Sequence, residues 1–190
     1  MPLSIPHSGL VLPFRPEDHS HLTPYLAALH GSCITHDRAM ATFLPPLSHE
    51  KLLTWWKERM AEVSEGKRYM WMLVSELNIR EKAKGPEVMG VVMLWVPYSE
   101  TGVSRGYVEK LLVHRNFRRR GGARILMSTL EREALAMGKT MLLLHAESDS
   151  LAETVCKKLG YVQSGRVPGY GMSPTGEMRD ATFMYKKLGI

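Results

Sequence analysis

Cysteine is nearly absent: the 190 residues contain two, Cys33 and Cys156. Neither stands in a CxxC pair or at a Cys/His ligand spacing, which argues against a disulfide framework and against a metal site. Reduced thiols in the cytoplasm are the expectation. Long apolar runs are missing as well. No window approaches the roughly 18 apolar residues that span a bilayer, and the opening "MPLSIPHSGL" has no charged stretch leading into an apolar one. A cytoplasmic protein without a membrane partner is expected. Repeats and low-complexity segments are absent too, and so are the two common nucleotide-binding patterns, GxxxxGK(S/T) and GxGxxG.

What is present suits one domain over residues 1–190, since 44% of the chain is hydrophobic and the length supports a sizeable core. Lys and Arg outnumber Asp and Glu by 25 to 19, for a formal net charge of +6. That field favours anionic partners: nucleic acid, a membrane surface or a phosphate-bearing cofactor. The position of the charge decides among them.

The hydrophobic pattern changes type along the chain. "LVLPFRPED" (10–18) suits a short strand running into a helix start, and helices are expected around 17–31 and 49–65, the second with Ser48 as N-cap and Gly66 as stop. "YMWMLVSE" (69–76), "VMGVVMLWV" (88–96) and "YVEKLLV" (107–113) suit three strands, with "LNIREKAKGPE" and "PYSETGVSRG" as the loops between them. Ala123, Leu126, Met127, Leu130, Ala134 and Met137 recur at helical spacing before Gly138. "TMLLLH" (140–145) is a central-strand run. Ser150 and Glu153 form a capping box for a short helix ending at Leu159 and Gly160. The tail gives "YVQSGRV", a turn over "PGYGMSPTGE" and a last strand "ATFMYKKL". One central sheet with α and β elements mixed around it, an α/β (α+β) class, follows from this order. Trp55, Trp56, Trp71 and Trp95 are assigned to the core.

The stretch "HRNFRRRGGARIL" (114–126) packs five arginines and two adjacent glycines between a strand and a helix. The first N–H groups of a helix lack internal partners and sit at the positive end of its dipole, so such a junction binds phosphates. Glycine allows close backbone approach, and arginine adds bidentate donors. A basic run without turn and helix would lack oriented N–H groups, so nucleic acid is the least favoured partner.

"LLVHRNFRRRGGARIL" resembles the acetyl-coenzyme A signature of the GNAT acetyltransferase superfamily, with Leu111 and Val113 on the strand and Arg118, Gly121 and Ala123 in the turn and helix. "VEKLLV" together with "GYVQSGRVPGYGMSPTGEMRDATFMYKKLG" resembles the tabtoxin resistance group of that superfamily, over about residues 88–189. The resemblance implies a GNAT fold, a mixed, mostly antiparallel sheet flanked by about four helices. It implies acetyl-CoA as acetyl donor, without a metal, and a small-molecule amine as acceptor, such as a toxin, antibiotic or amino-acid-like compound. Direct transfer in a ternary complex is the implied route. The cofactor set it implies is the backbone of Arg118, Arg119, Arg120, Gly121, Gly122, Ala123 and Arg124 for the pyrophosphate, with Leu111, Leu112, Val113 and Asp149 along the pantetheine arm. A homodimer is kept as an expectation, because dimers are frequent in folds of this kind.

Acetylation of an amine needs a neutral nucleophile, hence a proton acceptor, and an acid for the departing thiolate. At the places where the resembled group carries Glu, Asp and Tyr, this chain has Tyr107, His145 and Cys156. His145 is a candidate base, since an imidazole of pKa about 6.5 is partly neutral at pH 7; a strand-end histidine bonded to backbone is the alternative. Tyr107 is a candidate donor or proton relay, or simply a strand residue. Cys156 is a candidate acid, or a small packed hydrophobe. Glu109, on the same strand face as Tyr107, is a candidate base or a surface carboxylate. Tyr170 and Asp180 match the resembled group and are expected at the acceptor end. Two rivals stand beside the small-amine reading. One is a coenzyme-binding protein with altered catalysis; the other is a protein or histone acetyltransferase, which a net charge of +6 disfavours against cationic histone tails.

Overall fold

The computed structural model describes residues 9–37, 41–75 and 88–189. Seven strands form one sheet: β1 (Gly9–Pro13), β2 (Arg68–Ser75), β3 (Val88–Trp95), β4 (Arg105–Val113), β5 (Met141–Glu147), β6 (Val162–Met172) and β7 (Met178–Lys187). Their spatial order is β1-β2-β3-β4-β5-β7-β6. Every neighbouring pair is antiparallel except β4 with β5. Four helices of two or more turns flank the sheet among the described residues: α1 (Thr23–Asp37), α2 (His49–Ser64), α3 (Gly122–Ala136) and α4 (Leu151–Lys158).

β3 reads "VMGVVMLW" and buries seven of its eight residues, because helices cover both faces of the sheet there. Val92 and Leu94 pack with Leu126, Met127 and Leu130 of α3 and with Cys156 of α4. Val91 and Met93 point the other way, into a core with Leu26 and Cys33 of α1 and Trp56 and Met60 of α2. The sheet therefore separates an α3/α4 face from an α1/α2 face. Trp56 and Trp71 are buried in these cores; Trp55 and Trp95 are only partly covered.

Two expectations are corrected. The helix over 17–31 is not continuous: a single turn, Pro16–His19, passes through a 3-10 turn, Ser20–Leu22, before α1 runs to Asp37. Pro24 gives the reason, since its ring excludes a regular helical bond to the carbonyl of Ser20 and suits the first turn of a new helix. "PGYGM" is strand rather than turn. β6 continues to Met172, and only 173–177 reverses the chain. β6 is an edge strand, where Pro168 forfeits no ladder bond, and the register shift between Val167 and Gly171 absorbs the extra residues as a bulge. The expected loop "LNIREKAKGPE" lies outside the described residues.

His30 on α1 illustrates how tightly the second core is closed. Its ring is 5.3 Å from that of Trp55 and 5.9 Å from that of Trp56, it is 2% exposed, and among the described residues its Nδ1 has no partner. Burial, aided by the charge of Lys110, pushes its pKa down from 6.5 to about 4. The unfolded chain then takes up a proton that the folded chain refuses. Stability is expected to fall as pH drops from about 6.5 towards about 4, by up to about 1.4 kcal/mol per pH unit. Urea titrations across that window check this, and His30→Phe should flatten the slope.

Candidate active site

β4 and β5 pair only at their roots, Arg105–Tyr107 against Met141–Leu143, although β4 runs on to Val113 and β5 to Glu147. Beyond Tyr107 no pairing joins them among the described residues, so the strands fork and the β5-facing edge of β4 keeps unpaired main-chain groups. A cleft of about 1170 Å³ lies at this fork. Its walls are Leu111, Leu112 and Val113 of β4, Gly121 to Arg124 at the start of α3, Ser150, Leu151 and Val155 at α4, and Cys33 and Asp37 at the end of α1.

The glycine junction forms the turn and helix start that its sequence suggested. Gly121 adopts φ +81° as the N-cap of α3, and Arg119 is also left-handed at φ +59°. Left-handed residues in such a turn bring successive N–H groups to one side, an anion-binding concavity. Among the described residues, the amides of Arg119, Arg120, Gly121, Gly122, Ala123 and Arg124 donate no backbone hydrogen bond, whereas that of Arg118 reaches the Arg115 carbonyl at 3.4 Å. Arg118 spends its side chain internally: Nη1 and Nη2 grip the two Asp37 carboxylate oxygens at 2.5 and 2.9 Å, and Nε donates to the Val113 carbonyl at 2.9 Å. It is a strut tying the end of α1 to the end of β4. Arg119 and Arg124 line the cleft and form no ion pair among the described residues. Arg120 points elsewhere, its guanidinium 6.0 Å from the Phe117 ring.

Ser150 caps α4, its Oγ accepting from the Glu153 amide at 3.2 Å, while the Glu153 carboxylate accepts from the amide of Asp149. This is the expected capping box, shifted by one residue on its return bond. Ser150→Ala is expected to cost about 1 kcal/mol in urea unfolding. Asp149, at φ +63°, is absent from the cleft wall; its carboxylate pairs with Arg166 at 3.0 Å.

On the opposite, α1/α2 face the fork meets a second set of side chains. Leu142, Leu144 and Ala146 enter the α3/α4 core, so alternation places His145 on the other face. Its ring stacks on Phe183 at 5.2 Å and meets Tyr170 edge-on at 5.1 Å. His145 keeps an exposed edge, and partial desolvation against these rings first, then the charge of Lys110, lowers its pKa below 6.5, with Glu109 opposing. Tyr107 stands at the root of the fork, 5.3 Å from the Trp95 ring. Glu109 is engaged: one carboxylate oxygen accepts from Arg68 Nη1 at 2.6 Å, and Arg68, 4% exposed, also binds Glu62 at 2.6 Å. Asp180 accepts from the Gly169 amide and from Arg166, both at 2.9 Å, and so braces the β6 bulge that carries Tyr170.

The structure thus gathers His145 and Tyr170 on one face of the fork with Tyr107 at its root, and the glycine junction on the other. It does not bring Cys156 there. That thiol is 5% exposed inside the α3/α4 core, and burial pushes its pKa up to about 11, so it has neither the access nor the acidity to meet a departing thiolate. Sequence reasoning missed Cys33 and Asp37, which reach Val113 and Arg118 across 80 and 81 positions and carry no local signal. It also passed over Lys110, a cation inside an otherwise apolar strand end, and Trp55, whose ring lies 5.4 Å from Lys110 Nζ.

A model of the acetyltransferase (GNAT) family matches residues 37–161. Among solved structures, a candidate phosphinothricin N-acetyltransferase superposes with a TM-score of 0.75 at 15% identity, covering 96% of this chain and 100% of that one. A ribosomal L7/L12 N-protein acetyltransferase in complex with coenzyme A gives 0.74 at 15%, covering 97% of both chains. A candidate acetyltransferase of Salmonella typhimurium with its cofactor acetyl-CoA gives 0.65 at 19%, covering 96% and 95%. These likenesses speak for the fold. With the family model spanning the end of α1, the fork, the glycine junction and α4, the chain belongs to the acetyltransferase (GNAT) family.

Proposed function

We propose that the protein transfers the acetyl group of acetyl-CoA to the primary amine of a small molecule, directly, within a ternary complex. The observation that carries this is the β4–β5 fork, which joins a cleft of unpartnered amides on one side to a neutral imidazole and an aromatic wall on the other. The cleft's residues fit the donor: free N–H groups at Arg119–Arg124 suit a pyrophosphate, and the β5-facing main-chain groups of Leu111–Val113, other than the Val113 carbonyl held by Arg118, suit the amides of a pantetheine arm. Two of the similar structures hold acetyl-CoA or coenzyme A, which supports the assignment. When bound, acetyl-CoA supplies an acetyl group activated as a thioester.

This chain's own residues do the rest. His145, with its pKa lowered, is neutral at pH 7 and accepts the proton that an incoming ammonium must lose. Tyr107 at the fork root supplies a hydroxyl for the acceptor or its proton. Tyr170 and Phe183 wall the acceptor side, with Asp180 holding the bulge behind Tyr170. Direct transfer is favoured over an acetyl-enzyme because both thiols are buried and held at a pKa of about 11, including Cys33 on the cleft wall. The resemblance of the tail to the tabtoxin resistance group supports a small amine. A protein amine is the second reading, favoured by the ribosomal-protein acetyltransferase among the similar structures. Thiol release from acetyl-CoA, measured against an amine panel and against peptides with free N-termini, tests both. Bound coenzyme with no release across either set would overturn the reading.

A further inference from the structure

We propose that Lys110 is the receptor for a carboxylate on the acceptor, so that the amine acetylated here belongs to an acidic, amino-acid-type molecule; the inference rests on the acetyltransferase reading above. Lys110 is placed by a β-bulge. The β3–β4 register passes from Met93↔Glu109 to Val91↔Leu112, which inserts one extra residue on β4, and Lys110 adopts φ +50°. A non-glycine residue in that conformation persists only where its surroundings hold it, and bulges of this kind re-aim a side chain. Here the result is that Lys110 serves the same face as Glu109. Its Nζ donates to Thr42 Oγ1 at 2.5 Å and lies over the Trp55 ring at 5.4 Å.

The ammonium is placed without a counter-ion. No carboxylate among the described residues forms an ion pair with it, and Glu109, the carboxylate that acts on it most, is already bound by Arg68 at 2.6 Å. A partly desolvated cation that lacks an anionic partner is costly, and a ligand that brings the anion relieves that cost. Burial lowers the Lys110 pKa, as this account requires, with Arg68 and Arg59 adding to it and Glu109 opposing. Of its three N–H donors, Thr42 uses one. The charge of Lys110 also reaches His145, so an acceptor anchored by its carboxylate at Lys110 presents its amine in the region of the imidazole, between Trp55 and the Tyr170–Phe183 wall.

The test pairs amino acids with their carboxamides, α and ω, which keep shape and amine but lose the anion. Binding to the protein in the presence of coenzyme A is measured by calorimetry, and kcat/KM by thiol release from acetyl-CoA, for the wild type, Lys110→Met and Lys110→Arg. The expected result is that acids bind about tenfold or more tightly than their amides, that the same ratio appears in kcat/KM, and that it collapses to about unity in Lys110→Met and partly returns in Lys110→Arg. Thermal melting confirms that the variants are folded. Amides taken as readily as acids, a Lys110→Met variant that weakens both alike, or an absence of binding by either class would each overturn the proposal. Discrimination in binding without any thiol release would overturn the acetyltransferase reading instead and leave the anion receptor standing.

Discussion

Gly121→Val is expected to weaken coenzyme A binding by about two orders of magnitude or more while leaving the fold intact. At φ +81° a β-branched side chain is strained whatever the space around it, and the space here is open, with no neighbouring atom within 4 Å of the point a Cβ would occupy. The damage is therefore to conformation. Relaxing Gly121 out of the left-handed region turns the amides of Arg120, Gly121 and Gly122 away from the cleft. Hydrogen bonds from such donors to a charged phosphate contribute about 1.5–3 kcal/mol each, so loss of two accounts for roughly a hundredfold or more in affinity. Gly138→Val is the control. Gly138 has φ +76° and equally open surroundings, but it follows the far end of α3, away from the cleft. Its substitution should lower the melting temperature comparably and leave calorimetric binding of coenzyme A unchanged. If Gly121→Val binds the coenzyme as the wild type does, the junction is a structural turn and no phosphate site.

Why that junction was legible in the sequence, and the acceptor side was not, follows from how each is built. The proposed phosphate site is local. Strand end, glycine turn and first helical turn occupy residues 111–124, and the conformational demands of Gly121 and the periodicity of Leu126, Met127 and Leu130 announce it without reference to the rest of the chain. The capping box at Ser150 is local in the same sense. The acceptor side is assembled from β4, β5, β6, β7 and α2, and its contacts span the chain. Thr42 meets Lys110 across 68 positions, and Arg68 meets Glu109 across 41. Alternation predicted that Glu109 shares a face with Tyr107, but the same rule would put Lys110 on the opposite one and fails there, because a bulge cancels the period-two rule at a single residue and leaves no mark in composition. Cys156 shows the reverse. Its position in the sequence matched a catalytic place, yet the helix phase that makes α4 amphipathic turns it into the core alongside Leu144 and Tyr161.

His145→Gln is expected to lower kcat by about 10²-fold or more, the ordinary contribution of a positioned general base. Glutamine keeps a planar polar group between Tyr170 and Phe183, so the aromatic wall survives and the loss reports proton transfer. The pH profile supplies the sign. The imidazole must be neutral to accept a proton, and its folded pKa lies below 6.5 through desolvation first and the charge of Lys110 second, against the pull of Glu109. On acidification kcat/KM should therefore fall as His145 takes up a proton, with a midpoint below the 6.5 of an ordinary imidazole. Lys110→Met removes one of the two lowering influences, so the acid limb should move to higher pH; Glu109→Gln removes the opposing one and should move it to lower pH. With a carboxamide acceptor, which carries no anion of its own, these shifts read the electrostatics of the site alone. An acid limb unmoved by either substitution, or one that survives in His145→Gln, would assign the proton to another group, with Tyr107 next in line at the root of the fork.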